Sequence, residues 1–245
     1  MRNPINRITK GLMLAVGLMA LGAVVAIITI NSKSQRARPD NAPAKDQLRW
    51  HAQVAKSNGQ REITVPGLIA DYDGNASSQT TNDVLTYCGV VRAQPLQALS
   101  YSVDSNVIAT WYKFKILENL STPNKVACPS CIDSDLPSEL LPVAPDEFLL
   151  WKAGGSLVVD GVTITMPDPG FPFFEMGRDY LLFIAKRPSG VADIAGGSVG
   201  TFIVEKNGQL SSVSGAKHPV TKRILSELGD SLDLIKLKLK TKAQR

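Results

Sequence analysis

Hydrophobic residues occur in three patterns along this chain, and each pattern predicts a different kind of element. Residues 11–30 form a continuous stretch without a charged side chain. In the middle of the chain, short runs have the length and alternation of β-strands. From Pro219 onward, apolar residues recur every three or four positions, as in an amphipathic helix. The chain is therefore expected to contain a membrane-type segment, a β-rich body and a C-terminal helix.

The N-terminal stretch has the length of a membrane span, because twenty helical residues rise about 30 Å. Three basic residues lie on each side of it: Arg2, Arg7 and Lys10 before, and Lys33, Arg36 and Arg38 after. Two interpretations remain. The first is an uncleaved anchor that makes the lipid bilayer the partner of residues 11–30, in a single-pass protein whose body lies outside the cytoplasm. The second is a signal peptide cleaved after Ala26, which leaves a secreted or periplasmic protein. Apolar residues continue past Ala26 and favour the anchor.

Residues 31–47 are polar and proline-containing, which predicts a flexible tether. Residues 48–245 then have the length of a single exported domain with its own core. The whole chain has a net charge of +5. The excess positive charge lies at the ends, since residues 48–235 hold 15 basic and 20 acidic residues. A nucleic-acid partner is therefore not expected.

Several segments of the body have strand character. We expect strands within 61–70, 84–92, 108–117, 156–160, 162–166, 180–185, 201–206 and 209–213. Asp160-Gly161 and Asn207-Gly208 each lie between two of these segments and predict hairpin turns. Within 108–117, the alternation places Tyr112 and Phe114 on the inward face. The C-terminal pattern predicts one helix over about 219–240.

The three cysteines leave several interpretations open. Cys128 and Cys131 form a CxxC in a proline-rich insertion at 122–146, and Cys88 lies in a predicted strand. A structural disulfide is expected in an exported protein, either between Cys128 and Cys131 or between Cys88 and one of them. The alternatives are unpaired thiols, or a redox or metal function. A thiol-disulfide or thiol-dependent envelope enzyme that uses Cys128 and Cys131 is thus the second functional hypothesis.

The order of these segments resembles that of a known group of proteins. The runs VLTYCGVV, TWYKFKILENL, GSLVVDGVTITMP, FEMGRDYLLFI and GTFIVEKNGQL follow one another over about residues 84–213. This order is similar to bacterial exported proteins with a five-stranded β-barrel of the OB-fold-like or netrin-like type, the latter found in tissue inhibitors of metalloproteinases. The resemblance implies a mainly β (α+β) fold, a five-stranded OB-like barrel with a C-terminal amphipathic helix, and an exported location. It also raises a further alternative, a secreted-protease inhibitor, although the N-terminal cysteine wedge of those inhibitors is lacking.

Two motifs resemble catalytic or metal sites only in part. Residues 196–200 spell G-x-S-x-G around Ser198, but the run leads directly into a predicted strand, and His218 is the only histidine after it. Residues 71–75 resemble the start of a calcium loop, but Ala76 and Asn82 stand where glycine and a bidentate acid are needed. We therefore assign no catalytic, cofactor or metal residues, and an enzyme is the less favoured of the open interpretations.

The segment 167–177 is the candidate partner loop. It places Phe171, Phe173 and Phe174 among prolines and glycines, so that these rings either contact a partner or cap the open end of the barrel. The functional hypothesis is a membrane-tethered extracytoplasmic module for binding or assembly, with an envelope protein as its partner.

Overall fold

The computed structural model describes residues 46–67, 80–103, 105–123, 136–195, 197–213 and 218–243. The chain divides into two units, 1–43 and 44–245, and all of these residues belong to the second. The predicted membrane segment at 11–30 and nearly all of the tether lie outside the described residues. Within the described ranges, none of the helices combines the length and the apolar character that a membrane span requires.

The described part of the chain is mainly β, with ten strands in two sheets and few helices. The strands are β1 (Glu62–Thr64), β2 (Gly89–Val103), β3 (Val107–Ser121), β4 (Glu147–Ala153), β5 (Gly155–Val159), β6 (Val162–Met166), β7 (Tyr180–Lys186), β8 (Val191–Ile194), β9 (Thr201–Val204) and β10 (Leu210–Ser212). The larger sheet has the order β10-β9-β7-β2-β3-β4-β8, with an additional pairing of β7 with β8. The smaller sheet has the order β1-β6-β5.

The described residues include four α-helices, which flank these sheets. They are α1 (Gln47–Ser57), α2 (Thr81–Tyr87), α3 (Pro219–Leu228) and α4 (Leu232–Ala243), and short 3₁₀ turns occupy Ser138–Leu140 and Gly197–Gly200. Asp46 caps α1 by accepting a hydrogen bond from the Arg49 backbone N–H at 3.3 Å. Pro219 occupies the first turn of α3, where a missing N–H costs nothing.

Strand β7 is buried on both of its faces, which explains its uninterrupted apolar sequence. One face of β7 contributes Tyr180, Leu182 and Ile184 to a buried cluster that is rich in aromatic residues, the aromatic cluster. On the other face, Leu181 and Phe183 contact a second cluster to which the helices contribute. The helical members of that second cluster are Val220, Ile224 and Leu228 of α3 and Leu232, Ile235 and Leu239 of α4.

Both predicted hairpins are confirmed. β5 pairs antiparallel with β6 across Asp160-Gly161, and both turn residues have positive φ, at 49° and 82°, as a type I′ turn requires. β9 pairs antiparallel with β10 across Asn207-Gly208. The inward face of β3 is also as predicted, because Tyr112 and Phe114 are buried.

The C-terminal region differs from the prediction of a single helix over 219–240. The first helix, α3, ends at Leu228 and is capped by Gly229, which adopts a φ of 107°. The second helix, α4, begins at Leu232. A Cβ atom on Gly229 would lie 2.6 Å from the Cβ of Leu234. The three-to-four spacing of apolar residues continues across the break because both helices pack on the same cluster.

The strand predictions were incomplete in the larger sheet. The segment 84–92 was predicted as a strand throughout, but residues up to Tyr87 belong to α2, and β2 begins only at Gly89. Strands β4 and β8 were not predicted at all. The described residues therefore form ten strands in two sheets, whereas the patterns predicted eight strand segments and the resemblance implied a barrel of five strands.

Candidate functional site

The loop 167–177, between β6 and β7, is built around one buried ring. Phe174 lies in the aromatic cluster, and its ring meets four others edge to face at centroid distances of 5.0–5.3 Å. Those four rings belong to Tyr112, Phe114, Phe171 and Tyr180. Phe171 is buried as well. Two of the three predicted contact residues therefore belong to the core, and their part in the loop is to hold it in place.

Phe173, the third predicted residue, lies at the surface. Its side chain is 36% exposed, and that of Met176 in the same loop is 49% exposed. The loop thus alternates within a few residues between buried and exposed apolar side chains. Phe173 and Met176 together give the loop a small exposed apolar surface.

A pocket of about 160 Å³ opens beside Phe173. Its lining is mostly apolar and consists of Pro172, Phe173, Phe174, Glu175, Tyr180, Ile203, Ser212 and Val213. The lining comes from the loop, from β7 and from the β9–β10 hairpin, so the pocket exists only when these elements are assembled.

A buried ion pair lies beneath the first half of the loop. Lys152 of β4 and Asp168 have fully buried side chains, with the ammonium nitrogen 3.4 Å from a carboxylate oxygen. Lys152 also donates a hydrogen bond to the Ala153 carbonyl at 3.0 Å. Its ammonium group lies 5.0 Å from the ring centre of Phe171 and 5.2 Å from that of Phe173. A buried charge needs such partners, and here they connect the strand to the loop.

The other carboxylate oxygen of Asp168 accepts a hydrogen bond from the Gly170 backbone N–H at 3.1 Å. This carboxylate therefore has two tasks, since it pairs with the lysine and also shapes the backbone of the loop.

Hydrogen bonds to its backbone hold the second half of the loop. The Gly177 N–H donates to the Pro95 carbonyl at 3.4 Å, and the Gln94 amide donates to the Gly177 carbonyl at 2.6 Å. The Glu175 N–H donates to the Tyr180 hydroxyl at 2.9 Å. Both ends of the loop are thus fixed on the sheet, and Phe173 and Met176 project from a restrained backbone.

The electrostatics of the site follow from burial. Desolvation lowers the pKa of Lys152, and the opposing charge and hydrogen bond of Asp168 offset this in part. Desolvation also raises the pKa of Tyr180, and raises that of Tyr112 to about 12, so both hydroxyls stay protonated at neutral pH. The protonated hydroxyls can donate and accept hydrogen bonds within the aromatic cluster.

Comparison of the chain with protein-family models, curated proteins and solved structures gives no match.

Cys88 is a free, buried thiol, and Cys128 and Cys131 lie outside the described residues. Desolvation, together with the charge of Asp193, raises the pKa of Cys88 to about 11. A thiol with that pKa is a weak nucleophile at neutral pH. Cys88 belongs to the second cluster, to which α3 and α4 also contribute, and acts there as a small apolar residue.

The two partial motifs are placed as follows. Ser198 is buried in the 3₁₀ turn before β9, and His218 caps α3 by accepting a hydrogen bond from the Val220 N–H at 3.3 Å. The calcium-like residues 71–75 lie outside the described residues. Over the ranges that the structure describes, no group of three or more His, Cys, Asp or Glu side chains is arranged to hold a metal ion.

Sequence reasoning missed Lys152, and a signal for it was present. In β4, Phe148, Leu150 and Lys152 alternate onto one buried face, so the lysine falls at an inward position. A lysine at such a position needs a buried acidic partner. The pocket residues Ile203 and Val213 carried no comparable signal, because their meeting with the loop depends on tertiary packing.

Proposed function

We propose that this chain is a membrane-tethered extracytoplasmic module that binds an apolar segment of an envelope protein through the loop 167–177 and its pocket. The observation that carries this proposal is a restrained loop that presents Phe173 and Met176 beside an apolar pocket. Restraint of the backbone before binding lowers the entropy that association costs, which supports a binding role for this loop.

The volume of the pocket limits the size of the group that can occupy it. Pockets for drug-sized ligands measure about 300–1,000 Å³. At about 160 Å³, this pocket suits one apolar side chain of a partner rather than a whole metabolite. A single side chain seated in a well-packed pocket, with exposed apolar neighbours around it, is the usual centre of a protein–protein contact.

The tether is inferred from the sequence. Residues 11–30 have the length and uncharged character of a membrane span, and a polar segment follows them. An anchor of this kind would hold the module at the outer side of the membrane, near envelope proteins.

We infer an OB-like arrangement for the strands that carry the site. Five strands, β2, β3, β4, β8 and β7, each pair with two others of the same set. β8 runs parallel to β4 and antiparallel to β7. This pairing pattern supports a small barrel of the OB type, with β9 and β10 added beside β7.

Site-specific photocrosslinking in intact cells tests the binding role. A photoreactive phenylalanine analogue replaces Phe173 or, separately, Met176. The control places the analogue at Val158, which is 68% exposed on β5 in the smaller sheet. We expect a discrete crosslinked species from positions 173 and 176 and none from position 158. Absence of a species from the loop, or the same species from all three positions, would overturn the proposal.

A pocket-filling variant sharpens this experiment. Ile203→Phe adds volume within the pocket lining, away from the crosslinking positions in the chain. It should abolish the species from position 173 while the protein keeps its circular dichroism spectrum. An undiminished species from a folded Ile203→Phe protein would exclude the pocket as the contact.

A further inference from the structure

Helix α4 presents two different faces. Leu232, Ile235 and Leu239 are buried against the second cluster. On the other side, Leu234 is 44% and Leu237 is 62% exposed. The two exposed leucines are three residues apart, which makes them neighbours on the helix surface. They therefore form a short apolar strip on the exposed side of α4.

Lysines lie on both sides of this strip. Lys238 follows Leu234 by four residues, and Lys240 follows Leu237 by three, so each lysine neighbours one leucine on the helix surface. Both lysines are exposed. An apolar strip between two lysine edges is the pattern of a helix that lies in a membrane interface.

Contacts at the helix edges fix its orientation. Lys236 pairs with Glu118 of β3 at 2.7 Å, and Lys242 donates to the Asn82 side chain of α2 at 2.8 Å. Lys238 donates to the Glu227 carbonyl of α3 at 2.7 Å. The outer face is thus presented by a helix that is attached to three other elements.

Charge identifies the occupant. The charged helix neighbours of the two exposed leucines are Lys238, Lys240 and Asp233, which lies four residues before Leu237, so the outer face carries a net positive charge. Residues 48–235 of the body, in contrast, carry an excess of acidic residues. An anionic surface would be attracted to this face and repelled by the rest of the body, which would set the orientation of the domain.

We propose that the outer face of α4, formed by Leu234, Leu237, Lys238 and Lys240, is a contact surface for anionic lipid headgroups. The proposal rests on the proposed function, because the anchor would bring the domain to the bilayer. Residues 31–45 can reach at most about 50 Å when extended, enough for any side of a domain of this size to face the membrane.

The test uses the full chain in nanodiscs, with an environment-sensitive fluorescent amino acid at position 237 and, as the control, at position 158. Phosphatidylcholine discs are compared with discs that also contain phosphatidylglycerol. We expect a blue-shifted emission from position 237 only in the anionic discs, and its loss in 0.5 M NaCl. Emission from position 158 should be the same in both. An unshifted emission from position 237 in anionic discs, or equal shifts in both kinds of disc, would overturn the proposal.

A charge variant provides the second arm. Each lysine near an anionic surface contributes about fivefold to association, so Lys238→Gln with Lys240→Gln should weaken the association of this face about 30-fold. Unchanged emission in the double variant would contradict a role for headgroup charge. A shift that appears only when an acidic envelope protein is added would replace lipid with protein as the occupant.

A separate measurement tests the membrane anchor. Resistance of the full chain to alkaline extraction from the discs reports insertion of residues 11–30, independently of the emission at position 237. A chain that is extracted contradicts the tether. A chain that resists extraction but shows no shift contradicts only the α4 surface.

Discussion

The loop 167–177 and helix α4 both expose apolar side chains, but they are supported in different ways. In the loop, buried Phe174 and exposed Phe173 are adjacent, and a buried ion pair lies beneath them. In α4, the buried and exposed residues occupy opposite sides of one helix. If the two surfaces bind as proposed, recognition and stability are coupled in the loop and separable in the helix, and substitutions in the two regions should have different effects.

The largest effect is expected from Lys152→Met. The substitution leaves the Asp168 carboxylate buried without its charged partner, which should lower the free energy of unfolding by about 3–5 kcal/mol. Chemical denaturation measures this loss. The double variant Lys152→Met with Asp168→Leu removes both charges and should recover part of the stability, although the Gly170 N–H then loses its acceptor. A double variant no more stable than the single one would show that the unpaired Asp168 charge is not the source of the loss.

Substitution of the two neighbouring phenylalanines should lower the stability of the protein by different amounts. Phe174→Ala removes the ring at the centre of the aromatic cluster and should cost about 3–5 kcal/mol. Phe173→Ala, on the exposed side, should cost clearly less while still abolishing partner crosslinking from Met176. Equal losses of stability in thermal denaturation would contradict the assignment of a structural role to Phe174 and a contact role to Phe173.

The pH dependence of stability tests the burial of Cys88 in the second cluster. Its folded pKa of about 11 lies above the reference value of 9.0, so the stability it contributes is complete below about pH 9 and is lost as the pH rises through 11. A shift of about two units corresponds to about 2–3 kcal/mol. Stability measured from pH 8 to 11 should therefore decline less in Cys88→Ala, which has no thiol to ionise. Parallel declines in the two proteins would show that the Cys88 thiol is not desolvated in the second cluster.

The smallest effect is expected on the outer face of α4. Leu237→Ser removes an exposed side chain and should change the free energy of unfolding by less than about 0.5 kcal/mol. Ile235→Ala on the same helix is the matched control and should cost about 2–5 kcal/mol. A large loss from Leu237→Ser would mean that this face is packed and therefore not free to contact a membrane.

The parts of the fold that the sequence predicts are those with local signals. The Asp160-Gly161 hairpin follows from turn chemistry, and the buried face of β3 follows from two-residue alternation. The break at Gly229 was missed because α3 and α4 pack on one cluster, so the apolar spacing does not change there. Strand β8 was missed because it is only four residues long and depends on pairing with β4 and β7.

The candidate site was predictable only as a segment. Composition marked 167–177 as a loop rich in aromatic residues, but it could not show which rings face inward. That assignment depends on Lys152 and Tyr180, which lie outside the loop in sequence and meet it only in the fold.

The most direct test of the account is the location of the body of the protein. The full chain, fused at its C-terminus to a phosphatase that is active only outside the cytoplasm, is expressed and the cells are fractionated. The account predicts an active phosphatase in the membrane fraction that resists alkaline extraction. An inactive fusion in the soluble intracellular fraction would contradict the tether, and with it the envelope partner and the lipid contact.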